Sequence, residues 1–157
     1  MIRPNLFLVL INDIHENVQS CTRLFADACL LYNTVKSLDD GTVFQKDIDQ
    51  MVSWSQKWGM RFNPAKCSTL RLTRDRHPEQ TNYEMLGTVL EETDETKYLG
   101  IIIQKDLRWN RQTEFATGKA TRVLNFVRRN FYHAKPSVKE KLYQTLVRPH
   151  LDYATAT

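Results

Sequence analysis

The residues best suited to chemistry crowd the last third of the chain. Arg122, Arg128, Arg129, Lys135, Lys139 and Lys141 fall within twenty residues, with Tyr132 and His133 among them. Cations in such density hold phosphates without regard to base sequence, with an affinity that falls steeply in salt, and the interleaved rings could add stacking. The alternative is a solvated helix face with no partner. Asp27 stands apart, a carboxylate flanked by Ala26 and Ala28 between two apolar, β-prone runs. At the tip of a hairpin it is either an ordinary turn residue or a metal-binding carboxylate. The four His and three Cys lack metal-ligand spacing such as C-x-x-C, which argues against a zinc site. There is no Gly-rich phosphate loop and no nucleophile–His–carboxylate signature.

The charge distribution agrees with the cluster. Of 157 residues, 105–157 carry eleven Lys/Arg against four Asp/Glu, while 1–104 carry eleven against fourteen. A net of about +7 attached to a body of about −3 points to a polyanion partner for the basic part. Hydrophobic residues at 41% and charged residues at 25% make a globular mixture. Five Gly and five Pro exclude collagen-like or linker sequence. Three unevenly spaced Cys argue against a secreted disulfide scaffold and for a reducing, intracellular compartment, cytoplasmic or nuclear. No apolar run approaches the roughly 20 residues of a membrane span, and the short run Leu6–Ile11 lacks the flanks of a signal peptide.

The elements that must position these residues follow from periodicity. Pro4–Ile14 is a buried helix or strand, with Pro4 favouring helix. So apolar an opening suggests a chain cut from something longer. Residues 21–36 read as a hairpin with Ala26, Asp27 and Ala28 at its tip. Residues 42–58 form an amphipathic helix with Phe44, Ile48, Met51, Val52 and Ser55 on one face, capped by Asp39 and Asp40 and ended by Gly59. Trp58 continues that face and is expected to pack the helix onto a sheet. Cys67–Thr73 reads as a strand, Arg74–Thr81 as a loop and 83–91 as a small hairpin. Lys97–Ile103 is β-rich, with Gly100 marking a bulge or a close backbone approach. From Arg111 a helix carries Ala116, Ala120, Val123, Leu124, Val127 and Phe131 on its core face. Another starts at Ser137, boxed by Glu140, with Leu142 and Leu146 inward and Pro149 ending or kinking it. The order gives an α+β body, residues 1–105, followed by a basic helical unit, 106–157.

Five segments together resemble the reverse transcriptases of non-LTR retrotransposons, of the jockey/CR1-like kind. They are Leu6–Ile14, Arg23-Leu24-Phe25-Ala26-Asp27-Ala28, the set Trp54, Trp58, Gly59, Arg61-Phe62-Asn63-Pro64, Lys66 and Cys67, then Lys97-Tyr98-Leu99-Gly100-Ile101, and Leu146-Val147-Arg148-Pro149-His150-Leu151-Asp152-Tyr153-Ala154. Of these, the stretch from Arg23 to Ala28 is similar to the family's F/Y-A-D-D box. The set from Trp54 to Cys67 is similar to its W-x-x-x-W-G-L-x-F-N-x-x-K-C signature. The resemblance implies an RNA-directed DNA polymerase fragment: a partial palm, an antiparallel sheet with packed helices, then a helical thumb. It implies catalytic roles for Asp27 and Lys66, with Asp27 a ligand of Mg²⁺ and Lys66 facing the leaving pyrophosphate. Tyr98, Leu99 and Gly100 become a primer grip, and RNA or an RNA–DNA duplex the partner of the basic helices.

The chain departs from the family at one decisive position. Nucleotidyl transfer uses two Mg²⁺ ions about 4 Å apart, held by clustered carboxylates. The family's adjacent pair of Asp is here Asp27 and Ala28, and its upstream catalytic Asp has no match. The expectation is therefore a polymerase relative that does not polymerise. The alternative is a nucleic-acid-binding module that keeps the thumb without catalysis. An active enzyme completed by another chain would still face Ala28. A palm lacking strands would leave an apolar face and a sheet edge uncovered, and the monomer is expected to be marginal or aggregation-prone.

Overall fold

A computed structural model of the chain describes residues 4–73 and 81–153, with nothing described for the side chains of 4 and 5. All of the expected loop Arg74–Thr81 except Thr81 lies outside the described residues, as does Ala154. The chain divides into two units, Met1–Thr69 with Asp75–Glu92 and Leu70–Arg74 with Thr93–Thr157. The secondary structure is mixed α and β, compatible with the α+β class. The described strands form four separate two-stranded sheets, three antiparallel and one parallel.

The first unit opens with α1 (Pro4–Ile11). Proline without an N–H fits a first helical turn, where that donor has no partner anyway. Ile11 and Ile14 turn inward with Met51, and Phe7 and Val18 pack against them. Leu6, Leu8 and Val9 are exposed, so the segment is a helix with one uncovered apolar face. β1 (Cys21–Phe25) and β2 (Ala28–Tyr32) then pair antiparallel without a bulge, Phe25 opposite Ala28.

The helix α2 (Leu38–Lys57) follows. Its cap is Ser37, not Asp39 or Asp40: Ser37 Oγ accepts from the Asp40 amide while Asp40 accepts from the Ser37 amide, a reciprocal capping box. Its inward face carries Ile48 and Met51. Ile48 joins Tyr83, Met85 and Leu90, with Phe44 edge-on to Tyr83 at 4.9 Å between ring centroids. Trp58 does not staple the helix to a sheet. It is the C-cap, 44% exposed. Trp54, one turn earlier, is the anchor, its indole N–H donating to Asp13 Oδ1 at 2.8 Å.

The expected strand Cys67–Thr73 shrinks to β3 (Ser68–Thr69), parallel to β6 (Glu91–Glu92). Between them in sequence, β4 (Glu84–Met85) and β5 (Thr88–Val89) form the small hairpin. The side chain of Gln45 pairs with β4 as a strand would, donating to the Glu84 carbonyl and accepting from its amide, both at 2.9 Å.

The second unit holds β7 (Glu95–Tyr98) and β8 (Ile101–Gln104), α3 (Asn110–Asn130), α4 (Pro136–Leu142) and α5 (Arg148–Asp152). It takes in the 95–104 hairpin, which the composition-based boundary at 105 places with the body. Ala120 and Val127 are the buried residues of α3. Gln112 on α3 accepts from the Ile102 amide at 2.9 Å, and Gln104 accepts from the Arg111 amide at 3.2 Å. These side-chain amides fasten β8 to the start of α3. The helix α4 begins with Pro136 at its first position and Lys135 as cap, without a side-chain cap bond. The expected Ser137–Glu140 box does not form, because proline already sets the helical φ two residues after Ala134. A π-helical turn, Tyr143–Val147, joins α4 to α5. Its extra residue rotates the inward face by one position, so Val147 is buried at 2% exposure and Leu146 is 41% exposed, against the expectation for Leu146. Pro149, which cannot donate to the carbonyl four residues back, sits just beyond this turn.

Candidate functional site

Asp27 occupies the second position of the two-residue turn between β1 and β2. Ala26 ahead of it has φ +52°, a left-handed conformation that costs an alanine roughly 1–2 kcal/mol. A positive φ at the first turn residue suits the twist of a tight hairpin. Asp27 is exposed, and Ala28 closes the turn opposite Phe25. Mg²⁺ demands near-octahedral oxygen ligation, and this tip supplies one carboxylate followed by a methyl group. Among the described residues no group of three or more His, Cys, Asp or Glu is placed to hold a metal ion. The residues present do not fit the ion that the resemblance implies.

Lys66 ends a short 3₁₀ turn, Pro64–Lys66, capped by Asn63 Oδ1 accepting from the Ala65 amide at 3.1 Å. It is exposed, and neither a hydrogen bond nor an ion pair joins it to Asp27. Nearby in sequence, burial pushes the Cys67 thiol up. Burial, then repulsion from Cys67, pushes the Cys29 thiol up to about 11, which disfavours its reactive thiolate form.

A buried polar centre in the first unit escaped the sequence reading. Asp47 on α2 is 3% exposed. Its carboxylate accepts from the Gln19 amide at 3.0 Å, the Ser20 amide at 2.8 Å and the Ser20 hydroxyl at 2.5 Å. It ties the entry to β1, and so the Asp27 hairpin, onto α2. An aspartate on the apolar face of a helix was the available signal.

Tyr98, Leu99 and Gly100 lie in the second unit, where Leu99 and Gly100 form the turn between β7 and β8. Gly100 marks that turn rather than a bulge within one strand. Leu99 at φ +48° and Gly100 at φ +86° give the double left-handed turn that two-residue hairpins favour. The Tyr153 hydroxyl donates to the Leu99 carbonyl at 2.6 Å, and its ring lies 3.4 Å from where a Cβ on Gly100 would stand. The backbone conformation is what calls for glycine here, and the tyrosine ring then packs at contact distance over it.

The six predicted basic residues are all exposed and all in this unit. Arg122, Arg128 and Arg129 project from α3, Lys135 caps α4, and Lys139 and Lys141 lie along it. Arg122 and Arg129, seven residues apart, share a face, and Arg128 does not. The sequence reading missed two further cations, Lys97 and Lys119, whose ammonium groups stand 5.1 and 4.5 Å from the Phe115 ring centroid. The i to i+4 spacing of Phe115 and Lys119 was the signal for one of them. With Phe126, Lys119 extends the Arg122–Arg129 face along α3. Among the described residues, no helix is long and apolar enough to cross a membrane.

Comparison with known proteins finds similarity to an RNA-directed DNA polymerase of a mobile element. One similar protein is the RNA-directed DNA polymerase from mobile element jockey of Drosophila funebris, 28% identical over 134 residues, or 82% of this chain. The chain spans 14% of that relative's length. No family model matches the chain, and no solved structure does.

Proposed function

We propose that this chain is a reverse-transcriptase relative that holds nucleic acid through its basic helices and does not itself join nucleotides. The observation that carries the loss of chemistry is the pair Asp27–Ala28 at the first hairpin. A single exposed carboxylate cannot assemble the oxygen cage a metal-assisted phosphoryl transfer needs. The similarity to a polymerase acting on RNA supports RNA or an RNA–DNA duplex as the partner. The exposed cations of α3 and α4 supply phosphate contacts, and the 95–104 hairpin, clasped by Tyr153, is read as the remnant of a primer grip. In this reading residues 1–105 are the remnant of a palm and 106–157 that of a thumb, Asp27 is a vestigial ligand, and Lys66 retains a cation without a leaving group to serve.

A primer-extension assay with Mg²⁺, run on preparations shown by anisotropy to bind the same primer–template, tests both halves. Binding without incorporation is expected. Incorporation above the level of an Asp27→Ala control overturns the loss of chemistry, and absence of binding overturns the retained function.

A further inference from the structure

We propose that the turn joining α3 to α4 binds single-stranded nucleic acid, stacking an unpaired base on Tyr132 while the surrounding cations hold the flanking phosphates. This rests on reading the basic helices as a nucleic-acid interface and narrows the strand form that this end of them takes.

Tyr132 is 73% exposed, the most open of the large aromatics between α3 and α4. An exposed tyrosine is usually mobile, but this one is held at both its backbone and its ring. Lys139 Nζ donates to the Tyr132 carbonyl at 2.7 Å and stands 5.8 Å from its ring centroid. The His133 ring packs edge-on at 5.0 Å with an interplanar angle of 86°. The Ala134 amide closes the turn on the Phe131 carbonyl at 3.1 Å. A ring fixed this way loses little freedom on stacking, so less of the stacking energy is spent on ordering it.

The charge around it is one-sided. Residues 128–142 hold five Lys/Arg and one carboxylate, Glu140, which already accepts from Gln144. An aromatic platform with cations on both flanks is the arrangement that proteins use on single strands, since every base of a strand has a face to stack while in a duplex only the two terminal pairs expose one. A duplex could use only the cations. An acidic protein surface could also use them but has no need of the ring.

The test compares a labelled 12-nucleotide single strand, the corresponding blunt 12-base-pair duplex and poly-glutamate, by anisotropy over a salt series, with the full chain. Tyr132→Ala and Tyr132→Leu are expected to weaken the single strand by roughly 5- to 100-fold, the range that stacking of one base supplies. Duplex affinity and the slope of log K against log salt stay unchanged, and Tyr132→Phe binds as wild type. Tyr132 is exposed, so circular dichroism of the variants should match wild type. Single-strand affinity unaffected by Tyr132→Ala overturns the proposal, as does an equal loss on strand and duplex, or poly-glutamate bound as tightly as the strand. Wild type that binds the duplex but not the single strand overturns this inference alone, whereas binding to neither overturns the broader reading with it.

Discussion

Asp47→Ala should be among the most damaging single substitutions in the first unit, and its cost can be worked from the geometry. Three donors lose their acceptor: the amides of Gln19 and Ser20 and the Ser20 hydroxyl. Gln19 is exposed, so water can replace the carboxylate there. Ser20 is buried, and its two donors are left with no protein partner in the cavity. Hydrogen bonds to a charged acceptor contribute about 1.5–3 kcal/mol each, and a stranded buried donor costs about 1–3 kcal/mol. With partial water entry into the cavity, the loss should be about 3 kcal/mol, set against typical domain stabilities of roughly 5–15 kcal/mol. Asp47→Asn should fall between, because one amide oxygen can serve the Ser20 donors while the NH₂ faces the Gln19 amide. Urea unfolding followed by circular dichroism measures both, with exposed Gln50→Ala on the same helix as a control expected within about 0.5 kcal/mol of wild type. A double-mutant cycle with Ser20→Ala should show strong coupling. A cost for Asp47→Ala below about 1 kcal/mol, or no coupling to Ser20, would show that the Asp47–Ser20 centre does not hold the hairpin to α2.

Gly100→Ala places a Cβ 3.4 Å from the Tyr153 ring at φ +86°, and should destabilise the second unit by roughly 1–3 kcal/mol, seen as lost amide-exchange protection in β7 and β8. Tyr153→Phe removes only the bond to Leu99 and should cost about 0.5–1.5 kcal/mol by the same assay. Thiol labelling at pH 8 should modify exposed Cys21 well ahead of Cys29, and the Cys29 rate should rise about tenfold per pH unit until near 11. Because folding raises that thiol's pKa from 9.0, its contribution to stability is intact below pH 9 and is lost as pH climbs towards 11. The Asp40 carboxyl is held below the ordinary aspartate value by the Lys36 amide, then by Ser37, so the capping box stabilises α2 above that value and is lost as pH falls through the lowered one. An acid titration should show Asp40→Asn flattening this limb.

What the sequence made legible was local. Apolar, β-prone runs around Ala26–Asp27 and the Gly87-Thr88 pair between 83–86 and 89–91 were enough to place two hairpins, the second with its turn one residue earlier, at Leu86–Gly87. The period of Phe44, Ile48, Met51 and Ser55 placed α2, and the charge asymmetry pointed to the basic helices. What failed needed partners distant in sequence or a register that periodicity cannot carry. Trp54 and Trp58 are alike in local pattern until Asp13 chooses between them. A π turn shifts the inward face from Leu146 to Val147, and a strict 3.6-residue period cannot foresee it. Ser37 outcompeted Asp39 and Asp40 as cap because the pairing with Asp40 runs both ways. The Asp47–Ser20 centre and the Tyr153–Leu99 clasp span 27 and 54 residues and leave no local trace.

Whether the basic helices of this polymerase relative hold nucleic acid is decided by anisotropy of the full chain on a labelled RNA–DNA duplex across a salt series. Tight binding at low salt is predicted, with a log–log slope of about −3 to −5 for four to six phosphate contacts. The Arg122→Ala, Arg129→Ala double variant, which strips the shared face of α3, should make that slope shallower by about 2. Folded protein that does not bind at low salt, or binding with a slope near zero that ignores both arginines, would contradict the account.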